Sequence, residues 1–265
     1  MKTLDRPRET IEDKEILGEV NESFERKELV RVFGVNVTFT AVTFKQAVLE
    51  KCYFRNCTFI RCDFTGAQLK DCNLRGSSFE GCQFRYATWE KTLLDGEFLD
   101  RCLPSEENLA RDLVRSLRVN FAQIGNYDAV NKAAAIEVSL TGRHLFNAAY
   151  SRQGYYRSLP KYQGIDRLKY AGQHVRWKAL DLLWGNGESI LRVVISGAVV
   201  VALAAAVIAN SANVAYADGL SIAFLAFWGL TAMPSPFGIG VVLTVARFVF
   251  FGLFMAILVK RLSRR

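Results

Sequence analysis

Val37-Thr38-Phe39-Thr40-Ala41, Val42-Thr43-Phe44-Lys45-Gln46, Ala47-Val48-Leu49-Glu50-Lys51 and Cys52-Tyr53-Phe54-Arg55-Asn56 are four consecutive words of five residues. The third letter of each is large and apolar, and the same phase runs on through Phe59, Phe64, Leu69, Leu74, Phe79, Phe84, Trp89, Leu94 and Leu99. Two positions earlier sits a smaller side chain: Cys57, Cys62, Ala67, Cys72, Ser77, Cys82, Ala87 and Thr92 continue that column, with Glu97 out of line. A period of five is neither the 3.6 of a helix nor the 2 of a strand. The chain must turn every few residues and stack its turns, so that each coil buries its ladder against the next.

The phase persists only weakly upstream, at Phe24 and Leu29, and Gly34 interrupts it. Residues 1–30 hold nine acids and six bases without apolar patterning, which predicts a charged arm and no signal peptide. The repeats are bounded at 31–103 by Pro104-Ser105, where Ser105 suits a helix cap.

These thirteen words resemble the pentapeptide-repeat family. That resemblance implies a right-handed quadrilateral β-helix with four words per coil, here about three coils. Some members of the family imitate DNA with an acidic surface; Arg31 to Leu103 carries ten bases and eight acids, which does not suit that role. Cys52, Cys57, Cys62, Cys72, Cys82 and Cys102 share one phase of the repeat and show neither CxxC spacing nor a nearby His, so they are small inward side chains rather than metal ligands.

Residues 104–188 read as a helical linker. Leu109, Leu113, Leu117, Phe121 and Ile124 recur at helical spacing up to Gly125-Asn126, and Val130, Ala133, Ala134 and Val138 form the face of a second helix. The junction looks like a tetratricopeptide-type hairpin. A third apolar face follows in Ile165, Leu168, Ala171, Val175, Ala179 and Leu182, with Arg167, Lys169 and Arg176 off it and Trp177 and Trp184 nearby. Eight bases and one acid between Arg143 and Lys178 suit an interfacial helix on anionic headgroups; nucleic acid is not an expected partner so close to an apolar span. Gly185 and Gly187 are the natural hinge before that span.

From 189 to 265 the chain reads span, dip, span: Val193 to Ala209, Gly219 to Met233 and Phe237 to Val259 are apolar, the last with Arg247 inside. A hydrocarbon core needs about 20 helical residues, and the middle run is too short. Bases cluster before the first span and after the last, while Asn210 to Gly240 has no Lys or Arg. Two spans with a re-entrant middle segment keep both clusters inside, in accord with the positive-inside bias. Both termini are then cytoplasmic and the cysteines reduced.

Span, half-helix, turn, span resembles the potassium-channel pore from about Glu188 onward, and the whole order resembles bacterial pentapeptide-repeat proteins fused to a channel-like domain. The resemblance implies a homotetramer in the inner membrane and places a filter at Gly229, Leu230, Thr231, Ala232 and Met233. A Thr-Val-Gly-Tyr-Gly filter is absent there, which argues against potassium selectivity. Arg247 lies mid-span, where charge is expected to face a cavity or a partner. Taken as inward, it shares its face with Gly240, Thr244, Phe251, Phe254 and Leu258, and a ring of arginines favours anions. No carboxylate pair or Ser-His-Asp set stands out, so no enzyme, metal or cofactor is expected. The expectation is a mixed fold: a cytoplasmic β-helix with a helical hairpin, then an α-helical channel-like domain regulated through its repeats. The alternative is a membrane-anchored scaffold that does not conduct.

Overall fold

A computed structural model describes residues 8–230 and 237–262. The chain forms two compact units, 1–147 and 148–265.

The first unit is a β-solenoid. Short strands β1 (Thr10–Glu12), β2 (Glu19–Val20), β3 (Glu28–Val30), β4 (Phe33–Val35), β5 (Thr38–Thr40), β6 (Val48–Glu50), β7 (Tyr53–Arg55), β8 (Thr58–Ile60), β9 (Gln68–Lys70), β10 (Ser78–Glu80) and β11 (Thr88–Glu90) stack in parallel columns. One column runs β1-β3-β6-β9-β11, five rungs and so about four turns. Thr38 pairs with Thr58 and Thr58 with Ser78, a register of 20 residues, or four five-residue sides per coil.

Each side contributes two inward side chains, the large residue and the smaller one two positions earlier, and like residues one coil apart stack. Phe39 lies on Phe59 at 4.7 Å between ring centres, and Phe59 on Phe79 at 4.9 Å. Phe44 and Phe64 stack at 4.6 Å, and Phe64 and Phe84 at 4.9 Å. The corners turn through left-handed residues that are not glycine, including Asn36, Ala41, Gln46, Lys51, Asn56 and Arg61. That geometry is unfavourable for a residue with a β-carbon, and the ladders on either side hold it in place.

The solenoid begins upstream of the expected boundary. β1 and β2 lie within the segment expected to be an arm, and residues 10–30 add a coil to the expected three. Their registers are irregular: Thr10 pairs with Glu28 and Glu19 with Thr38, offsets of 18 and 19 rather than 20. Gly34 stays in phase and pairs with Phe54. A β-carbon on Gly34 would lie 3.1 Å from Val37 Cγ2 and 3.3 Å from Phe54 Cδ1, so neighbouring side chains already fill that inner slot.

After the short helix α1 (Phe98–Arg101) come α2 (Glu107–Gln123) and α3 (Tyr127–Tyr150). α2 lays Ala110, Leu113, Val114, Leu117 and Phe121 over the last coil. It also satisfies the open edge of β11. Asn120 Nδ2 donates to Thr92 O at 2.8 Å, and its Oδ1 accepts from Thr92 N at 2.7 Å. Ser116 Oγ accepts from Trp89 N, and Gln123 Oε1 from Lys91 N. These side chains stand where the next strand's backbone would be, which removes an exposed edge. The segment expected as a single linker is thus divided: α2 and most of α3 join the solenoid's unit, and the remainder belongs to the second.

The second unit contains α4 (Gly154–Ser158), α5 (Gly164–Trp184), α6 (Ile190–Ala212), α7 (Tyr216–Trp228) and α8 (Phe237–Leu262). Tyr156 and Tyr162 are buried with Ala148. Arg157 donates to Ala148 O at 2.7 Å and Arg167 to Ala149 O at 2.6 Å, so two of the interleaved bases cap the last carbonyls of α3.

Candidate functional site

Among the described residues, α6 and α8 are the two helices long and apolar enough to cross a membrane. α7 has 13 residues, about 20 Å of helix at 1.5 Å per residue, short of the ~30 Å hydrocarbon core. It packs on α6 through small side chains: Ala205 and Ala223 are fully buried, with Ala226 beside them. Close helix approach through small residues is the membrane counterpart of core packing. Gly219 is the tightest point, where a β-carbon would meet Ala205 O at 2.7 Å and Ala209 Cβ at 3.1 Å. Outward, α6 presents Ile195, Val199, Leu203 and Val207, and α8 presents Val241, Val242, Val245 and Val249. These apolar outer faces suit hydrocarbon.

α7 ends in a Schellman motif. Gly229 is left-handed at φ 73°, its N–H donates to Ala226 O, and Leu230 N donates to Leu225 O. Gly229 and Leu230 therefore form the cap of α7, while the other filter candidates, Thr231, Ala232 and Met233, lie outside the described residues. Asp218 sits in the first turn of α7, where an acid complements the helix dipole.

The six residues grouped on one face of α8 are distributed as follows. Gly240 is buried within the unit, Thr244, Arg247, Phe254 and Leu258 are half-buried, and Phe251 is exposed. Arg247, Phe251 and Phe254 line a cavity of about 970 Å³ between α6, α7 and α8, together with Val201, Phe224 and Trp228.

The hinge is sharp and tied. Gly185, Asn186 and Gly187 are all left-handed, at φ 62°, 52° and 86°. Lys260 near the end of α8 donates to Gly187 O at 3.2 Å and pairs with Glu188, and Arg261 donates to Glu188 O at 3.0 Å. Across the bend, Arg192 of α6 pairs with Asp181 of α5 at 2.6 Å. The bases after the last span thus serve the hinge as well as the topology; Glu188 and Asp181, acids at the edge of a basic cluster, are the sequence signal for it.

Along α5, Ile165, Leu168, Val175, Ala179 and Leu182 are exposed on one side, as the sequence pattern has them. Lys161 lies over the Tyr162 ring at 4.9 Å and its pKa is raised by that tyrosine; the pKa of Lys169 is raised by its bond to Asp166. In the solenoid each thiol sits against a backbone carbonyl, for example Cys62 Sγ to Phe39 O at 3.3 Å. Burial pushes Cys57 up and Cys102 to about 12. A thiol held protonated, as at Cys57 and Cys102, is neither a nucleophile nor a ready metal ligand, whereas hydrogen bonds from Cys72 and Cys82 hold Cys52 and Cys62 down.

Residues 35–108 match the pentapeptide repeat region family, so the repeat segment is a pentapeptide-repeat solenoid. Solved structures similar to part of the chain include a trypsin-treated form of QnrB1, a plasmid-mediated fluoroquinolone resistance protein (17% identity, 30% of this chain and 54% of that one, TM-score 0.24). Another is the pentapeptide repeat protein Rfr23 from the cyanobacterium Cyanothece 51142 (18% identity, 33% of this chain and 78% of that one, TM-score 0.16). A third is a pentapeptide repeat protein from the thylakoid lumen of Arabidopsis thaliana (16% identity, 37% and 82%, TM-score 0.16). The chain spans about half the length of the QnrB1 form it matches, 54%. No curated protein matches the chain.

Proposed function

We propose that the chain is one subunit of an ion-conducting pore in the bacterial inner membrane, potassium-channel-like in plan but not potassium-selective. Both termini are cytoplasmic, and copies of the chain, four by analogy, surround the turn after α7. The pentapeptide repeats act as a regulatory or ligand-binding unit, without enzymatic chemistry. The observation that carries this reading is α7 itself: an apolar helix of 13 residues between two span-length helices, seated on Gly219 and capped at Gly229. A helix of that length cannot cross, and backbone that turns at membrane depth is tolerated only where protein buries it or it lines water. The exposed apolar side of α5, beside Arg167, Lys169 and Arg176, suits contact with anionic headgroups.

A second reading is supported by the repeat match: a pentapeptide-repeat scaffold anchored by a hairpin that does not conduct. The two separate in liposomes under a potassium chloride gradient. The pore reading expects current that reverses between zero and the chloride potential, and a reversal moved toward the potassium potential in Arg247→Glu. Assembled protein with no current above that of empty liposomes would reject the pore and leave the scaffold.

A further inference from the structure

Arg247 is the one ionisable side chain lining the cavity between α6, α7 and α8 among the described residues. Its surroundings are aromatic and aliphatic, and its guanidinium lies 4.9 Å from the ring centre of Phe248. Asp218 is the sole acid of the described hairpin, and it stands at the opposite end of α7. A guanidinium at this depth needs compensation from something other than a carboxylate.

The guanidinium stands against Gly229. A β-carbon built there would overlap Arg247 Nη1 and come within 3.3 Å of its Cζ. The guanidinium therefore occupies the space a side chain would take at the cap of α7. Unsatisfied carbonyls at a helix C-terminus carry about half a negative charge, and a cation in the last turn is favoured there. In apolar surroundings that attraction is screened far less than in water.

We propose that Arg247 is the fixed counter-charge of the re-entrant helix. α8 places a guanidinium on the C-terminal end of α7, and Gly229 is glycine both for its left-handed backbone and to admit that group. This rests on the pore reading in one respect. With the guanidinium in place, the inner end of α7 is not available to stabilise a permeating cation, which makes Arg247 a positioning and specificity-determining residue.

The test is a double-substitution cycle on the full chain, in detergent and in liposomes. Gly229→Ala and Arg247→Met are each expected to lower the melting temperature by several degrees. In the Arg247→Met background, Gly229→Ala should cost less than half as much, because only backbone strain remains. Equal cost in both backgrounds would overturn the pairing. Should Gly229→Ala fail to fold, Arg247→Lys takes its place: retaining charge, it should keep more of the melting temperature than Arg247→Met, and no difference would overturn the proposal.

Reversal potentials supply the readout that packing alone would not move. Gly229→Ala and Arg247→Met should both shift them toward the cation potential. Coupling in melting with unshifted reversal overturns the specificity role. Coupling without any current in wild type or variants keeps the counter-charge and rejects the pore reading.

Discussion

Asn120→Leu is expected to lower the stability of the repeat unit by about 2–6 kcal/mol, because it strands both backbone groups of Thr92. Asn120 is fully buried, and its amide answers the N–H and the C=O of Thr92 at 2.7 and 2.8 Å. Leucine keeps the branched connectivity of asparagine but is bulkier, so overpacking adds to the lost hydrogen bonds. An unpaired buried donor and an unpaired buried acceptor each cost about 1–3 kcal/mol. Hydrogen exchange followed by mass spectrometry locates the effect. Protection should fall first at β11 and Thr92, while Thr58, whose N–H donates to Val37 O inside the stack, keeps its protection until global unfolding. Unchanged exchange at Thr92 would mean that α2 does not complete the solenoid's edge.

Gly219→Val is expected to detach α7 from α6. The first added atom already meets a backbone carbonyl, Ala205 O at 2.7 Å, and Ala209 N at 3.2 Å, neither of which can rotate away. Overpacking of this kind costs about 1–3 kcal/mol, and β-branching adds to it. The melting temperature of the detergent-solubilised chain should drop, and Trp228, at the end of α7, should report the displacement in its fluorescence. Gly252→Ala serves as the control. It lies in the same hydrophobic unit with nothing within 4 Å of its added carbon, so it should be silent or stabilise α8 by up to about 1 kcal/mol.

The solenoid was legible because five-residue spacing puts Phe39, Phe59 and Phe79 one above another, and no other backbone has that period. Its first coil was not, because offsets of 18 and 19 residues break the count and Gly34 leaves an inward slot for neighbours to fill. Asn120 was invisible for a different reason: mid-helix asparagine carries no sequence signal for imitating a strand. In the second unit the sequence marked α6, α7 and α8 by length and apolarity, and Arg247 by its isolation. It could not say which neighbour Arg247 meets, since Gly229 is 18 positions away and the contact depends on how α8 is rotated. The tie between Glu188 and Lys260 was hidden likewise, two residues more than seventy positions apart at the ends of different helices. The bases between Arg143 and Lys178 read as interfacial, yet Arg157 serves the packing of the unit itself, where Tyr156 and Tyr162 are buried.

Every functional statement depends on α7 entering and leaving on one side of the bilayer. Labelling with a membrane-impermeant maleimide tests this directly in a Cys82→Ser background, since the other five native thiols are buried in the solenoid. Val214→Cys, in the turn between α6 and α7, should label in intact cells, and Leu262→Cys, at the end of α8, only after the cells are opened. Labelling of Leu262→Cys in intact cells would mean that α7 crosses, and the pore account would fail.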